Sequence, residues 1–124
     1  MARDRSFANR VVGLLMPLGP IEARAMFGGW GIYLEGVIFA LISHGRLFFK
    51  VDEETKDQFA HAGSRPFSYR GRSRPVELPY WETPAGSLKS SETLLPWAEL
   101  GLAAARRAQA KKGPKQRPQR RSAG

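Results

Sequence analysis

The sequence contains no cysteine, so disulfide bonds and thiolate chemistry are excluded. No apolar run approaches the roughly 20 residues that a helix needs to span a bilayer. Residues 1–10 also lack the apolar core and the small-residue cleavage site of a secretion signal. These absences suit a reducing compartment, and we expect a cytoplasmic protein without a membrane partner.

Acidic residues are missing from the end of the chain, and this absence explains the net charge of +9. Residues 1–105 hold twelve Lys/Arg and eleven Asp/Glu, whereas residues 106–124 hold eight Lys/Arg and no acid. The basic character therefore belongs to the carboxyl terminus alone. A chain of 124 residues favours a single domain. We predict that it covers residues 1–110 and that residues 111–124 form a disordered basic tail.

Helical periodicity appears at both ends of this predicted domain. The first helix presents one apolar face, formed by Phe7, Val11, Leu14, Leu15 and Leu18. The last helix begins near Ser90 or Ser91 and presents a second face, formed by Leu94, Trp97, Ala98, Gly101, Leu102 and Ala105. Pro96 lies early in this helix and is expected to kink its start or delay it toward Leu94.

Strand patterns fill the segment between these helices. Alternating or continuous apolar residues predict strands at 30–34, 37–42 and 46–51, and Glu35-Gly36 and His44-Gly45 predict tight turns between them. A short helix follows, with Asp52 as its N-cap and Gly63 as its C-cap.

Two further strands are predicted at 66–69 and 76–82. Pro79 cannot donate a ladder hydrogen bond, which places the last strand at a sheet edge. The order is α-β-β-β-α-β-β-α, which predicts a two-layer α+β domain with an antiparallel sheet of about five strands packed by helices.

The segment "RAMFGGWGIYLEGVIFALISHGRLFFKVDEET" resembles the start of the TfoX N-terminal domain family, which is named for regulators of natural competence. The matching residues are Arg24, Met26, Phe27, Gly28, Gly29, Trp30, Gly31, Ile32, Tyr33, Leu47, Phe48, Lys50, Val51 and Asp52. "PFSYRGRSRPVELPYWETP" and "LLPWAELGLAAARRA" resemble later parts of the same pattern, so that the resemblance covers about residues 7–110. It implies an α-β(3)-α-β(2)-α fold and a regulatory, non-enzymatic role. Full-length competence regulators of this family carry a second, helical domain where this chain has its basic tail.

The glycine cluster of the motif precedes a strand, whereas a dinucleotide fingerprint opens a helix. No Gly-Lys-Ser/Thr follows, which excludes a Walker A loop. We therefore interpret Gly28, Gly29 and Gly31 as residues chosen for backbone shape or close approach. Arg24, Met26, Phe27 and Tyr33 complete this set of structural motif residues.

Basic residues supply the candidate nucleic-acid contacts. The carboxyl-terminal set comprises Arg106, Arg107, Lys111, Lys112, Lys115, Arg117, Arg120 and Arg121, and a predicted hairpin loop adds Arg70, Arg72 and Arg74. Spread positive charge neutralises phosphates without reading sequence. The alternatives are a solubilising tail, a tail for an acidic protein, and a solvated loop. Tyr69, Tyr80 and Trp81 are either base-stacking residues or strand aromatics that fill a core.

Catalytic chemistry finds little support in the sequence. His44 and His61, the only histidines, lie outside any metal-ligand spacing, and capping explains the acidic group at 52–57. We expect no metal, no cofactor and no enzyme activity. Two functions are favoured over an enzyme: a regulatory module whose tail contacts DNA or RNA, and a protein-interaction module or homodimer that pairs through an edge strand at 76–82.

Overall fold

The computed structural model describes the backbone of residues 5–26, 28–70 and 75–116, and the side chains of these residues except 69–77 and 112–116. Its helices are α1 (Arg5–Leu15), α2 (Lys56–His61) and α3 (Ser91–Gln116). Its strands are β1 (Ile21–Met26), β2 (Gly29–Leu34), β3 (Val37–Ser43), β4 (Arg46–Lys50), β5 (Pro66–Arg70) and β6 (Pro75–Glu82). Single 3-10 turns lie at Met16–Leu18 and Ser87–Lys89.

The strands form one antiparallel sheet in the order β1-β2-β3-β4-β6-β5. The two predicted tight turns are confirmed, because Leu34 pairs with Val37 and Ser43 pairs with Arg46. Both central residues of each turn, Glu35-Gly36 and His44-Gly45, have positive φ, as a two-residue hairpin of type I′ requires. The predicted α+β class and element order are confirmed, with one additional strand.

That additional strand is β1, which the sequence analysis did not find. It forms a hairpin with β2 in which Met26 pairs with Gly29. Its residues alternate only weakly between half-buried and exposed, because one face carries Ile21, Ala23 and Ala25 and the other carries Glu22, Arg24 and Met26. Such short apolar side chains give a weak period-two signal.

The edge position predicted for residues 76–82 is wrong. β6 lies between β4 and β5, and the sheet edges are β1 and β5. The register between β5 and β6 shifts between Pro66 and Ser68, so Pro79 lies in an irregular part of the ladder where its missing N–H is tolerated. Its carbonyl oxygen still accepts a hydrogen bond from the Val51 N–H at 3.0 Å.

α1 and α3 pack side by side on one face of the sheet, and α2 joins them through Phe59. The core between the layers includes Val11, Leu15, Ile32, Leu34, Phe39, Ile42, Leu47, Phe49, Phe59, Leu94, Ala98 and Leu102. α3 approaches the sheet closely at Gly101, where a Cβ atom would lie 3.1 Å from the Phe49 side chain and 3.2 Å from the Phe39 carbonyl oxygen.

Side-chain hydrogen bonds join α1 to the start of α3 and to the 3-10 turn that precedes it. The Ser91 hydroxyl donates to the Leu14 carbonyl oxygen at 2.7 Å, and the Arg10 guanidinium donates to the Leu88 carbonyl oxygen at 2.7 Å. These bonds orient the start of α3 against α1.

α3 starts at Ser91 without the delay predicted from Pro96. The Ser90 hydroxyl accepts a hydrogen bond from the Thr93 N–H, and the Thr93 hydroxyl accepts one from the Ser90 N–H, each at 3.2 Å. This reciprocal cap offsets the one helical bond that Pro96 removes.

The end of α3 lies within the segment that was predicted to be the basic tail. The helix continues to Gln116, past residue 110, although Gly113 and Pro114 lie within it and both residue types disfavour a helix interior. The predicted tail residues 117–124 lie outside the described residues.

α2 ends where the sequence placed its C-cap. Gly63 has a φ of +87°, and its N–H donates to the Ala60 carbonyl oxygen while the Ser64 N–H donates to Phe59, each at 3.0 Å. These two bonds form a Schellman motif.

Candidate nucleic-acid interface

Arg107 anchors the basic segment, residues 106–124, to the body of the domain. Its guanidinium donates to both carboxylate oxygens of Asp52, from Nε to Oδ2 at 2.7 Å and from Nη2 to Oδ1 at 3.0 Å. Glu54 Oε2 lies 3.3 Å from the same Nε. A bidentate arginine–carboxylate pair has defined geometry as well as charge, so this contact ties α3 to the turn that follows β4.

Asp52 holds that turn together from its other side. Its Oδ1 accepts hydrogen bonds from the Glu54 N–H at 3.1 Å and the Thr55 hydroxyl at 3.3 Å. In return, the Thr55 hydroxyl accepts the Asp52 N–H at 3.1 Å. Asp52 therefore caps the turn ahead of α2, one turn earlier than the helix itself, which begins at Lys56.

The pKa of Asp52 is lowered from its ordinary value, chiefly by the hydrogen bond from Arg107 and against the opposing effect of burial. The pKa of Arg107 is raised, mainly by the same hydrogen bond. Both groups therefore stay ionised at neutral pH, and much of the positive charge of Arg107 is neutralised by Asp52 and Glu54. A guanidinium held in this way is a poor candidate for binding phosphate.

Arg106 and Lys111 differ from Arg107 in their exposure. The Arg106 side chain is 56 % exposed and lies 3.9 Å from Glu35 in a loose ion pair, which solvent screens. Lys111 is exposed and borders a shallow groove together with Asp52, Ala104, Arg107 and Ala108. These two cations are the accessible ones among the described side chains of the basic segment.

The remaining predicted phosphate contacts lie partly or wholly outside the described residues. The backbones of Lys112 and Lys115 lie in α3, and that of Arg70 ends β5. The side chains of these three residues are not described. Arg72, Arg74, Arg117, Arg120 and Arg121 are not described at all. Arg70 pairs with Pro75, so the antiparallel pairing of β5 and β6 extends to the residues on either side of 71–74.

The glycine cluster lies at the β1–β2 hairpin. Gly28 has a φ of +78°, and Gly29 and Gly31 belong to β2. A Cβ atom at Gly29 would overlap the Ile42 carbonyl oxygen, and one at Gly31 would lie 2.8 Å from Met26 Sδ and 3.1 Å from Tyr33 Cε1. Gly28 therefore allows the positive φ of the turn, and Gly29 and Gly31 allow close packing against β3 and against the side chains of Met26 and Tyr33. Phe27 lies outside the described residues.

Arg24 of the same motif lies over an aromatic ring on the face of the sheet opposite the helices. Its Cζ is 4.4 Å from the Tyr33 ring centroid, and its Nε donates to Glu22 Oε2 at 3.1 Å. The exposed side chains of Arg24 and Glu22 and the half-buried Tyr33 thus form one group that spans β1 and β2.

A second aromatic group lies further along this face. Phe48 and Tyr80 are buried but do not belong to the core under the helices. Phe48 packs edge-on against Phe67, with 4.8 Å between ring centroids, and Lys50 Nζ lies 5.4 Å from the Tyr80 ring. Burial, with a smaller effect of Tyr33, raises the pKa of Tyr80 to about 12. Tyr80 is therefore packed rather than displayed for base stacking.

Trp81 points toward the helices. It pairs with Phe49, which packs against Gly101, and it is partly buried against the main core. Trp97 packs on Phe59, with 4.9 Å between ring centroids. The Tyr69 side chain lies outside the described part of the chain.

The two histidines contact residues close to them in the sequence. His44 Nδ1 is 3.1 Å from the Ser43 hydroxyl, and His61 Nδ1 is 2.8 Å from the Asp57 carbonyl oxygen. Within residues 5–26, 28–70 and 75–116, no cluster of three or more His, Asp or Glu residues is arranged to hold a metal ion. Over the same residues, no helix is long and apolar enough to cross a membrane.

The Asp52–Arg107 pair and the Arg24–Tyr33 contact were not predicted from the sequence as interactions. Asp52 and Arg107 are 55 positions apart, and no local pattern links them. The Arg24–Tyr33 contact had an indirect signal, because both residues belong to the recognised motif, but the strand that brings them together was missed.

Comparison with known proteins gives one family and two curated relatives. The family model described as TfoX N-terminal domain matches residues 13–105. The DNA transformation protein TfoX1 of Aliivibrio fischeri is 27% identical over 74 residues, which cover 60% of this chain and 35% of that protein. Protein Sxy of Escherichia coli is 25% identical over 91 residues, which cover 73% of this chain and 44% of that protein. The chain thus spans less than half the length of these relatives.

Proposed function

Because the chain belongs to the TfoX N-terminal domain family, we propose that it is a non-enzymatic regulatory domain that acts in competence or transcription in the cytoplasm. The name of one relative, DNA transformation protein TfoX1, supports an association with DNA transformation.

The single observation that carries a nucleic-acid role is the basic extension of α3. Eight Lys/Arg and no acid follow Ala105, and the helix continues beyond the core as far as Gln116. We propose that the accessible cations of this extension bind phosphates of DNA or RNA without sequence preference. Arg107 is excluded from that set because Asp52 and Glu54 already hold it.

A salt titration tests this proposal. We would measure binding to a short DNA duplex at several salt concentrations, for the native chain and for a variant in which the six Lys/Arg of residues 111–124 are replaced by Gln. The slope of log affinity against log salt should become shallower by up to about 5, since each lost phosphate contact removes about 0.9. Arg106→Gln should reduce the slope by about 1.

Arg107→Gln is the matched control, because it removes one charge from the same helix but one that is already paired. Its slope should equal that of the native chain. Binding that is unaffected by salt, or that survives replacement of all six residues, would contradict the nucleic-acid proposal without affecting the family assignment.

A protein-interaction module is the second candidate function, and β1, which lies at an edge of the described sheet, favours it. β1, and not the strand predicted at 76–82, is the edge strand that this function would use. Assembly that persists after nuclease treatment and after replacement of the basic residues would support this function over the first.

A further inference from the structure

The two edges of the sheet differ in how well they can accept another strand. β1 has six residues without proline, and no described strand lies on its outer side. β5 begins with Pro66, and its ladder with β6 is irregular between Pro66 and Ser68. Proline and bulges are devices that protect an edge from pairing. β1 lacks both and is the more receptive edge.

The hairpin registers show which backbone groups of β1 face outward. Met26 and Gly29 flank the two-residue turn, so this pair exchanges backbone hydrogen bonds. The pairs Arg24–Gly31 and Glu22–Tyr33, two and four residues from the turn, exchange hydrogen bonds in the same way. Ile21, Ala23 and Ala25 alternate with them and therefore direct their N–H and C=O groups away from β2. These outward groups are the ones that a new strand would meet.

We propose that a second copy of this chain pairs with β1 in antiparallel orientation, with the two-fold axis at Ala23. Ala23 then faces Ala23 of the second copy, and Ile21 faces Ala25 in both directions. Each of these pairs uses outward groups only, and two six-stranded sheets become one continuous sheet. This proposal deepens the protein-interaction function and does not require nucleic-acid binding.

Charge selects this register over its neighbours. With the axis at Ala23, Glu22 of each copy lies opposite Arg24 of the other, which gives two cross-strand ion pairs on the same face of the sheet. An axis at Glu22 or Arg24 would place like charges directly opposite each other, and an axis at Ala25 would leave Glu22 and Arg24 without opposite charges. The side chains are available for this exchange, because their present ion pair within β1 is about half exposed on both sides.

A short ladder of this kind buries little surface, so we expect a weak dimer with a dissociation constant on the order of 0.1 mM. Sedimentation equilibrium of the native chain, together with amide exchange at low and high protein concentration, would measure it. The amides of Ile21, Ala23 and Ala25 should gain protection at high concentration. The Gly31 amide faces β1 within the hairpin and serves as the internal control whose protection stays constant.

Charge exchange provides the decisive variants. Glu22→Arg makes β1 entirely positive and Arg24→Glu makes it entirely negative, so each variant alone should dimerise at least about tenfold more weakly than the native chain. An equimolar mixture of the two should recover the native affinity as a heterodimer, and the double variant should recover it as a homodimer. Circular dichroism of each variant checks that the hairpin remains folded.

A backbone variant separates the ladder from the charges. Ala23→Pro removes an N–H that faces away from β2 and should abolish association, whereas Ala23→Val keeps that N–H and should preserve it. A native chain that remains monomeric up to about 1 mM, or a mixture of charge variants that fails to associate, would overturn the proposal. Because these measurements contain no nucleic acid, their failure leaves the DNA titration above unaffected.

Discussion

The two parts of α3 belong to one continuous helix but have opposite surroundings. Residues 91–105 contribute Leu94, Ala98, Leu102 and Ala105 to the core. Residues 106–116 contain no buried residue among those whose side chains are described, and Arg107 and Arg106 form ion pairs with the body of the domain. The family match also ends at residue 105. The helix α3 therefore extends beyond the last of its residues that packs in the domain core.

The end of the packed domain is therefore set by where the buried residues of α3 end and not by where the helix ends. The first part of α3 is held by apolar contact with β3 and β4. The second part continues the helix of the first part and carries positive charge. Substitutions in the first part should therefore change the free energy of unfolding, while those in the second part should chiefly change charge-dependent behaviour.

The largest effect is expected from Leu94→Ala. Leu94 is fully buried, and loss of its side chain should leave a cavity and lower the free energy of unfolding by about 2 to 5 kcal/mol. Lys111→Ala on the exposed part of the same helix should change it by less than about 0.5 kcal/mol. Denaturant titration measures both, and similar losses in the two variants would refute the contrast between the two parts.

Gly101→Val should give the next largest effect. The new side chain would press on Phe49, which is buried and stacked against Phe39 at 6.3 Å between ring centroids, so we expect a loss of about 1 to 3 kcal/mol. Gly13→Ala in α1 is the matched control. A Cβ atom there would meet nothing within 4 Å, and alanine should stabilise the helix by up to about 1 kcal/mol. A destabilised Gly13→Ala would count against this account of the two glycines.

Arg107→Gln should have a smaller effect on stability than Leu94→Ala or Gly101→Val but the most distinctive pH dependence. Because Arg107 lowers the pKa of Asp52, the pair stabilises the fold above the ordinary pKa of 3.8 and loses this contribution as the pH falls through the lowered value. The variant should have a melting temperature a few degrees below that of the native chain at pH 7, and the difference should shrink below pH 4.

Arg106→Gln is the control for this measurement, since Arg106 makes only a long, exposed ion pair. Its melting temperature should follow that of the native chain at every pH. A constant offset between Arg107→Gln and the native chain from pH 7 to the acid range would mean that the Asp52 contact is not the cause.

Much of the fold could be predicted because its signals are local. The two tight turns depend on Gly36 and Gly45 at fixed positions, the C-cap of α2 depends on Gly63, and the faces of α1 and α3 follow from helical spacing. β1 was missed because the apolar side of its pattern consists mainly of alanines. The edge assigned to residues 76–82 failed because strand order is a property of the whole sheet, and Pro79 only requires a local irregularity.

For the candidate site, the sequence alone determined where the positive charge lies, because eight Lys/Arg follow residue 105 without an acid. It also identified the family from the residues around the β1–β2 hairpin. Only the tertiary structure distinguished Arg107 from Arg106. The chain brings Asp52 to one of these two neighbouring arginines and leaves the other exposed, because successive residues of a helix point about 100° apart and only one of them faces the turn after β4.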